Sequence, residues 1–83
     1  MYYTYILQSE STGKLYIGQT NNLQARIIKH NSDKNFSTKN KGPWVLLFYK
    51  EYQTRSEAML FEKELKSYKS KNFIIEKINK NEL

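Results

Sequence analysis

Cysteine is absent from the 83 residues, so neither disulfides nor thiolate metal ligation can hold the chain together. Histidine occurs once, as His30, which excludes a multi-histidine metal site. With three glycines and one proline, no Walker loop or dinucleotide fingerprint can be assembled, nor is there a Ser/His/Asp arrangement or a thiol nucleophile. No uninterrupted apolar run approaches bilayer-spanning length. The N-terminal Met1-Tyr2-Tyr3-Thr4-Tyr5-Ile6-Leu7 lacks the basic region of a signal peptide and reads as a strand. These absences predict a cytoplasmic chain with no membrane partner, and the length leaves room for a single domain over residues 1–83.

What the sequence does have is aromatic residues and positive charge. Seven Tyr, four Phe and one Trp supply the bulk that a small core needs. A buried tyrosine fills space but still requires a partner for its hydroxyl, so several should sit at a core edge or in a groove. Fourteen Lys and Arg against eight Asp and Glu give a net charge of +6, which favours a polyanionic partner. Most of that charge is lysine, which also serves simply to keep a surface solvated.

The pattern predicts an α+β domain in the order β-β-α-β-α-α, with a three-stranded, mostly antiparallel sheet flanked by helices. Tyr2 to Leu7 is rich in β-formers, and Gln8 to Gly13 is a polar hairpin connection leading into a second strand over Lys14 to Gly18. Thr20-Asn21-Asn22 offers N-cap residues for a helix from Leu23 to His30, with Leu23 and Ile27 facing the sheet and Arg26 and His30 sharing another face. Asn31 to Pro43 is a polar loop whose Lys34, Lys39 and Lys41 make it a candidate phosphate-contacting flap. Trp44 to Tyr49 is a near-continuous apolar run, expected as a strand buried on both faces. Thr54-Arg55-Ser56-Glu57 is a capping box that opens a helix carrying Ala58, Phe61 and Leu65 on one face. Ser70 caps a last helix carrying Phe73, Ile74 and Ile78.

Taken one at a time, the polar candidates have ordinary readings. Tyr5 and Tyr16 fit as strand packing residues. Arg26 and His30 fit as the wet side of an amphipathic helix, and Glu62 fits as the partner of Lys66 in an i,i+4 ion pair. Their arrangement carries more. Tyr3-Thr4-Tyr5 on one strand, followed after a short connection by Tyr16-Ile17-Gly18 on the next, resembles the paired signature of the GIY-YIG nuclease family. Arg26 and His30 resemble that family's Arg and His on the first helix, and Glu62 resembles its metal-holding glutamate on the second. The Pro43-Trp44 start of the third strand and Thr54-Arg55-Ser56-Glu57-Ala58 are similar to small single-domain bacterial members. Two features depart from the family pattern. Tyr3 and Thr4 stand where the family has Gly and Ile, so only Tyr5 carries over from the first half-motif. Neither Asn72 nor Asn79 lies in a context matching the family's substrate-side Asn.

The resemblance implies a metal-dependent endonuclease that hydrolyses phosphodiesters in DNA with low sequence selectivity, in repair or processing. RNA is an alternative substrate, and the chain is expected as a monomer or weak dimer. It implies that Glu62 holds one Mg²⁺ or Mn²⁺, that Arg26 pairs with phosphate oxygens, and that Tyr5 takes the proton of the attacking water. Tyr16 and His30 would hydrogen-bond within that network. A phenol is only about one part in a thousand ionised at pH 7, so His30 as base with Tyr5 orienting the water is the other assignment. Two other classes compete: a non-catalytic nucleic-acid-binding module with a degenerate site, and a protein adaptor that uses its tyrosine-rich sheet face.

Overall fold

The structure, a computed structural model, describes residues 1–32, 42–68 and 70–83. Lys34, Lys39 and Lys41, the expected flap, lie outside the described residues. The elements are β1 (Tyr2–Ser9), β2 (Leu15–Thr20), α1 (Leu23–His30), β3 (Trp44–Tyr52), α2 (Arg55–Lys66) and α3 (Lys71–Asn79). They follow the predicted order, and the strands form one antiparallel sheet with β1 in the middle, β2-β1-β3.

Local chemistry fixes the boundaries. The β1–β2 hairpin turns at Gly13, whose φ of +76° lies in the left-handed region that glycine enters without a Cβ penalty. Asn22 caps α1 by accepting from the Ala25 N–H, and Ser70 caps α3 by accepting from the Phe73 N–H. At α2 the capping box is complete: Thr54 accepts from the Glu57 N–H while Glu57 Oε1 accepts from the Thr54 N–H.

The sheet separates two apolar clusters. On one face Ile6 packs with Phe61 and Leu65 of α2 and Ile74 of α3. On the other, Tyr5, Leu7 and Trp44 pack with Leu23 and Ile27 of α1, as the i,i+4 spacing predicts. Ala58, Phe61 and Leu65 are all buried, as expected of the α2 apolar face. On α3, Ile74 is buried and Ile78 packs against the core, whereas Phe73 is 44% exposed. Positions 74 and 78 share a helix face, and residue 73 is turned about 100° away from it. The Phe73 ring instead meets Tyr68 edge-on, with centroids 5.2 Å apart.

The strand buried on both faces is β1, not β3. Thr4 to Leu7 are all buried, while Val45, Leu46 and Tyr49 of β3 are exposed. β3 is an edge strand, and α1, at eight residues or about 12 Å, covers Tyr5 and Leu7 without reaching across Leu46 and Tyr49. The apolar run also contains a bulge, because the β1–β3 register shifts between Ile6↔Phe48 and Leu7↔Leu46. That extra residue lets the consecutive Leu47 and Phe48 both pack on the α2/α3 side, and it returns Trp44 to the α1 side. A continuous apolar run is thus consistent with an irregular edge strand as well as with a doubly buried one.

Candidate active site

Tyr5 lies at the centre of the sheet, paired with Gly18 on β2 and Tyr49 on β3. Its ring crosses directly over Gly18. A Cβ there would stand 2.6 Å from Tyr5 Oη and 2.9 Å from its Cζ, closer than side chains pack. The glycine of Tyr16-Ile17-Gly18 is therefore the condition for Tyr5 to lie across the strand and reach α1.

There Tyr5 Oη is 2.9 Å from Nε2 of His30, the last residue of α1. Both residues are about 1% exposed, so His30 is part of the core and not of a wet helix face. The Tyr16 ring closes the group, with its centroid 4.4 Å from that of His30 and 6.4 Å from that of Tyr5, roughly parallel to the latter. Trp44 meets Tyr16 edge-on at 6.4 Å.

Burial sets the protonation of the pair. It pushes the Tyr5 phenol well above its ordinary range. Tyr16 and, more weakly, Glu62 add to the shift, while the Arg26 guanidinium opposes it. The His30 imidazole is lowered to about 4, first by burial and then by the positive charges of Arg26 and Lys29. At neutral pH the site thus holds a protonated phenol against a neutral imidazole, and the tautomer decides which atom donates. Tyr5, Tyr16 and His30 are thus brought together by ring and hydrogen-bond contacts, while Arg26 on α1 and Glu62 on α2 lie near enough for their charges to act on the Tyr5 hydroxyl.

Glu62 is partly buried, and its Oε2 accepts from Lys66 Nζ at 2.7 Å, the i,i+4 pair expected from sequence. Among the described residues its Oε1 has no hydrogen-bond partner. No group of three or more His, Cys, Asp or Glu able to hold a metal occurs among the described residues. Of the five site candidates, Glu62 supplies the one carboxylate. This suits a hard cation that keeps its waters and takes substrate oxygens as ligands, and it does not suit zinc.

Sequence reading missed two residues that support this locus. Asn31, just past α1, accepts from the Trp44 N–H at 2.6 Å and donates to the Trp44 carbonyl at 3.0 Å. It acts like a short piece of strand and ties the His30 end of α1 to the start of β3. An Asn beside a loop gives no sign of a partner thirteen residues on. Thr4, fully buried, donates to the Ala58 carbonyl at 2.6 Å and ties β1 to the first turns of α2. The departure from Ile at that position thus exchanges an apolar contact for a hydrogen bond.

The chain is similar to known proteins over most of its length. The family described as the GIY-YIG catalytic domain matches residues 1–80. A UPF0213 protein of Staphylococcus haemolyticus is 38% identical over 68 residues, covering 81% of this chain and 82% of that protein. A UPF0213 protein of Bacillus pumilus is 36% identical over 80 residues, covering 93% and 81%. The solution NMR structure of a UPF0213 protein from Bacillus halodurans superposes with a TM-score of 0.53 at 34% identity, covering 87% of this chain and 78% of that one.

Proposed function

The chain belongs to the GIY-YIG catalytic-domain family, and from that premise we propose that it is a metal-dependent endonuclease hydrolysing phosphodiester bonds in DNA. The observation that carries this reading is the buried Tyr5–His30 hydrogen bond, with the Tyr16 ring packed on His30 and the charges of Arg26 and Glu62 acting on the Tyr5 hydroxyl.

Neither member of the pair is a good base alone: the phenol is held protonated and the imidazole is a weak acceptor. Together they form a relay. With Nε2 unprotonated, the Tyr5 hydroxyl donates to His30. As the attacking water gives its proton to Tyr5 Oη, the proton of Tyr5 passes to Nε2, so that no free phenolate forms and the imidazole is the terminal acceptor. Arg26 presents a planar fork to the non-bridging phosphate oxygens. Glu62 would hold Mg²⁺ or Mn²⁺, and when bound such an ion supplies charge stabilisation to the phosphate and the departing oxygen. The water-derived oxygen forms its bond to phosphorus as the ester P–O bond breaks.

The reading includes low sequence selectivity and a role in DNA repair or processing, with nicking favoured over concerted double-strand cuts. One observation favours a second reading, a nucleic-acid-binding module that does not cut: the Lys66 ammonium already occupies one oxygen of Glu62.

The two readings separate in a cleavage panel of single-stranded, duplex, nicked, flapped and branched DNAs with Mg²⁺ or Mn²⁺. The nuclease reading predicts metal-dependent cuts that Glu62→Ala abolishes. Salt-sensitive binding without cuts, at high protein and with Mn²⁺, would instead support the binding module.

A further inference from the structure

A groove of about 620 Å³ runs beside the site, between the β1–β2 hairpin and the α2–α3 corner. Consecutive residues of β2 line it, and among the described residues β2 has a strand neighbour on its β1 side alone. Three lysines, Lys14, Lys66 and Lys71, line it together with Tyr16 and Tyr68, and none of its lining residues is acidic. Lys71 Nζ would lie 3.5 Å from a Cβ at Gly13, so its ammonium rests against the hairpin turn at the outer end. Among the described residues neither Lys14 nor Lys71 forms an ion pair, which leaves both charges available to a ligand. Two of its lining residues touch the site: Tyr16 packs on His30, and Lys66 pairs with Glu62. Tyr68 is braced by Phe73 edge-on at 5.2 Å and by Lys77 at 6.0 Å from its ring.

We infer that this groove is the track for a single-stranded stretch of nucleic acid that leads to the scissile phosphate. The assignment rests on the nuclease reading for its direction and on the groove itself for its ligand. Lysines set beside the half-exposed Tyr68 ring match a strand whose phosphates meet lysine and whose bases stack on tyrosine. In a duplex the bases stack on one another, leaving only phosphates for such a groove. The strand edge of β2 adds unpaired backbone groups along the same wall.

Fluorescence anisotropy of the full chain tests this, with a labelled oligo-dT and a labelled hairpin duplex, in EDTA and over a range of salt. Lys14→Ala/Lys71→Ala should reduce the slope of log affinity against log salt by about 1.4 for oligo-dT, at about 0.7 per lost single-strand phosphate contact. Tyr68→Ala should weaken oligo-dT binding about five- to a hundredfold, while Tyr68→Phe keeps it and duplex binding changes little. Because Tyr68 also packs against the core, its Ala variant is read together with a thermal melt, and the lysine variant stands as the independent arm. A Lys14→Ala/Lys71→Ala protein that keeps wild-type affinity and slope, and still cuts, would overturn the track while leaving the nuclease intact. Groove-dependent binding in a protein that never cuts would support the track and remove the nuclease. Polyglutamate binding as tight as oligo-dT and indifferent to Tyr68 would overturn the nucleic-acid assignment.

Discussion

The placement of the Tyr5 hydroxyl depends on a side chain that Gly18 does not have. In Gly18→Ala the new methyl would stand 2.6 Å from Tyr5 Oη, and the ring, about 1% exposed, has little room to yield. The expected outcome is a loss of about 1–3 kcal/mol in urea unfolding, as for an overpacked core, with cleavage falling at least as far as in Tyr5→Phe. His30 gives a second prediction at this scale. Its pKa of about 4 in the fold lies below the ordinary 6.5, so between those values the unfolded chain binds a proton that the folded chain does not. Stability is therefore full above about pH 6.5 and declines as pH falls toward 4, with about 2 kcal/mol lost by pH 5. Urea midpoints at pH 7.5 and pH 5 check this, and His30→Gln should remove most of the difference between them.

Among the elements, local chemistry was readable and long-range contacts were not. The Thr54–Glu57 capping box and the Ala58, Phe61, Leu65 stripe place α2 from sequence because every signal lies within one or two turns. The pairing of Tyr5, Tyr16, Arg26, His30 and Glu62 was legible only as a resemblance, since nothing in their spacing says that β1 and the end of α1 meet. The edge position of β3 was hidden because a bulge and an exposed face leave no mark on an apolar run. Asn31 was hidden for the same reason: its two bonds to the Trp44 backbone are made across the chain. Each is worth about 1 kcal/mol net, so Asn31→Ala should lower the melting temperature by roughly 4–8 °C per kcal/mol lost. Asn31→Asp, which keeps the acceptor for the Trp44 N–H and loses the donor, should fall between the two in a thermal melt.

For the molecule as a whole, one sheet carries two small clusters. Among the described strands β1 alone is buried on both faces, with Ile6 anchored in one cluster and Tyr5 in the other. The site is thus built into the core and not attached to it by loops. Its residues are stabilised by the same packing that folds the chain, and this explains the neutral imidazole and protonated phenol at its centre. The net charge of +6 acts on a different length scale, steering a polyanion toward the surface in a salt-dependent way. None of the described helices is long and apolar enough to cross a membrane. The central claim is that Tyr5 and His30 move one proton as a unit. The direct test is the single-turnover rate of Mg²⁺-dependent cleavage by the wild type, Tyr5→Phe, His30→Gln and the double variant. A relay predicts that each single variant loses about 10²–10⁴ in rate and that the double variant loses no more than the worse single. Wild-type cleavage by Tyr5→Phe, or losses that multiply in the double variant, would contradict it.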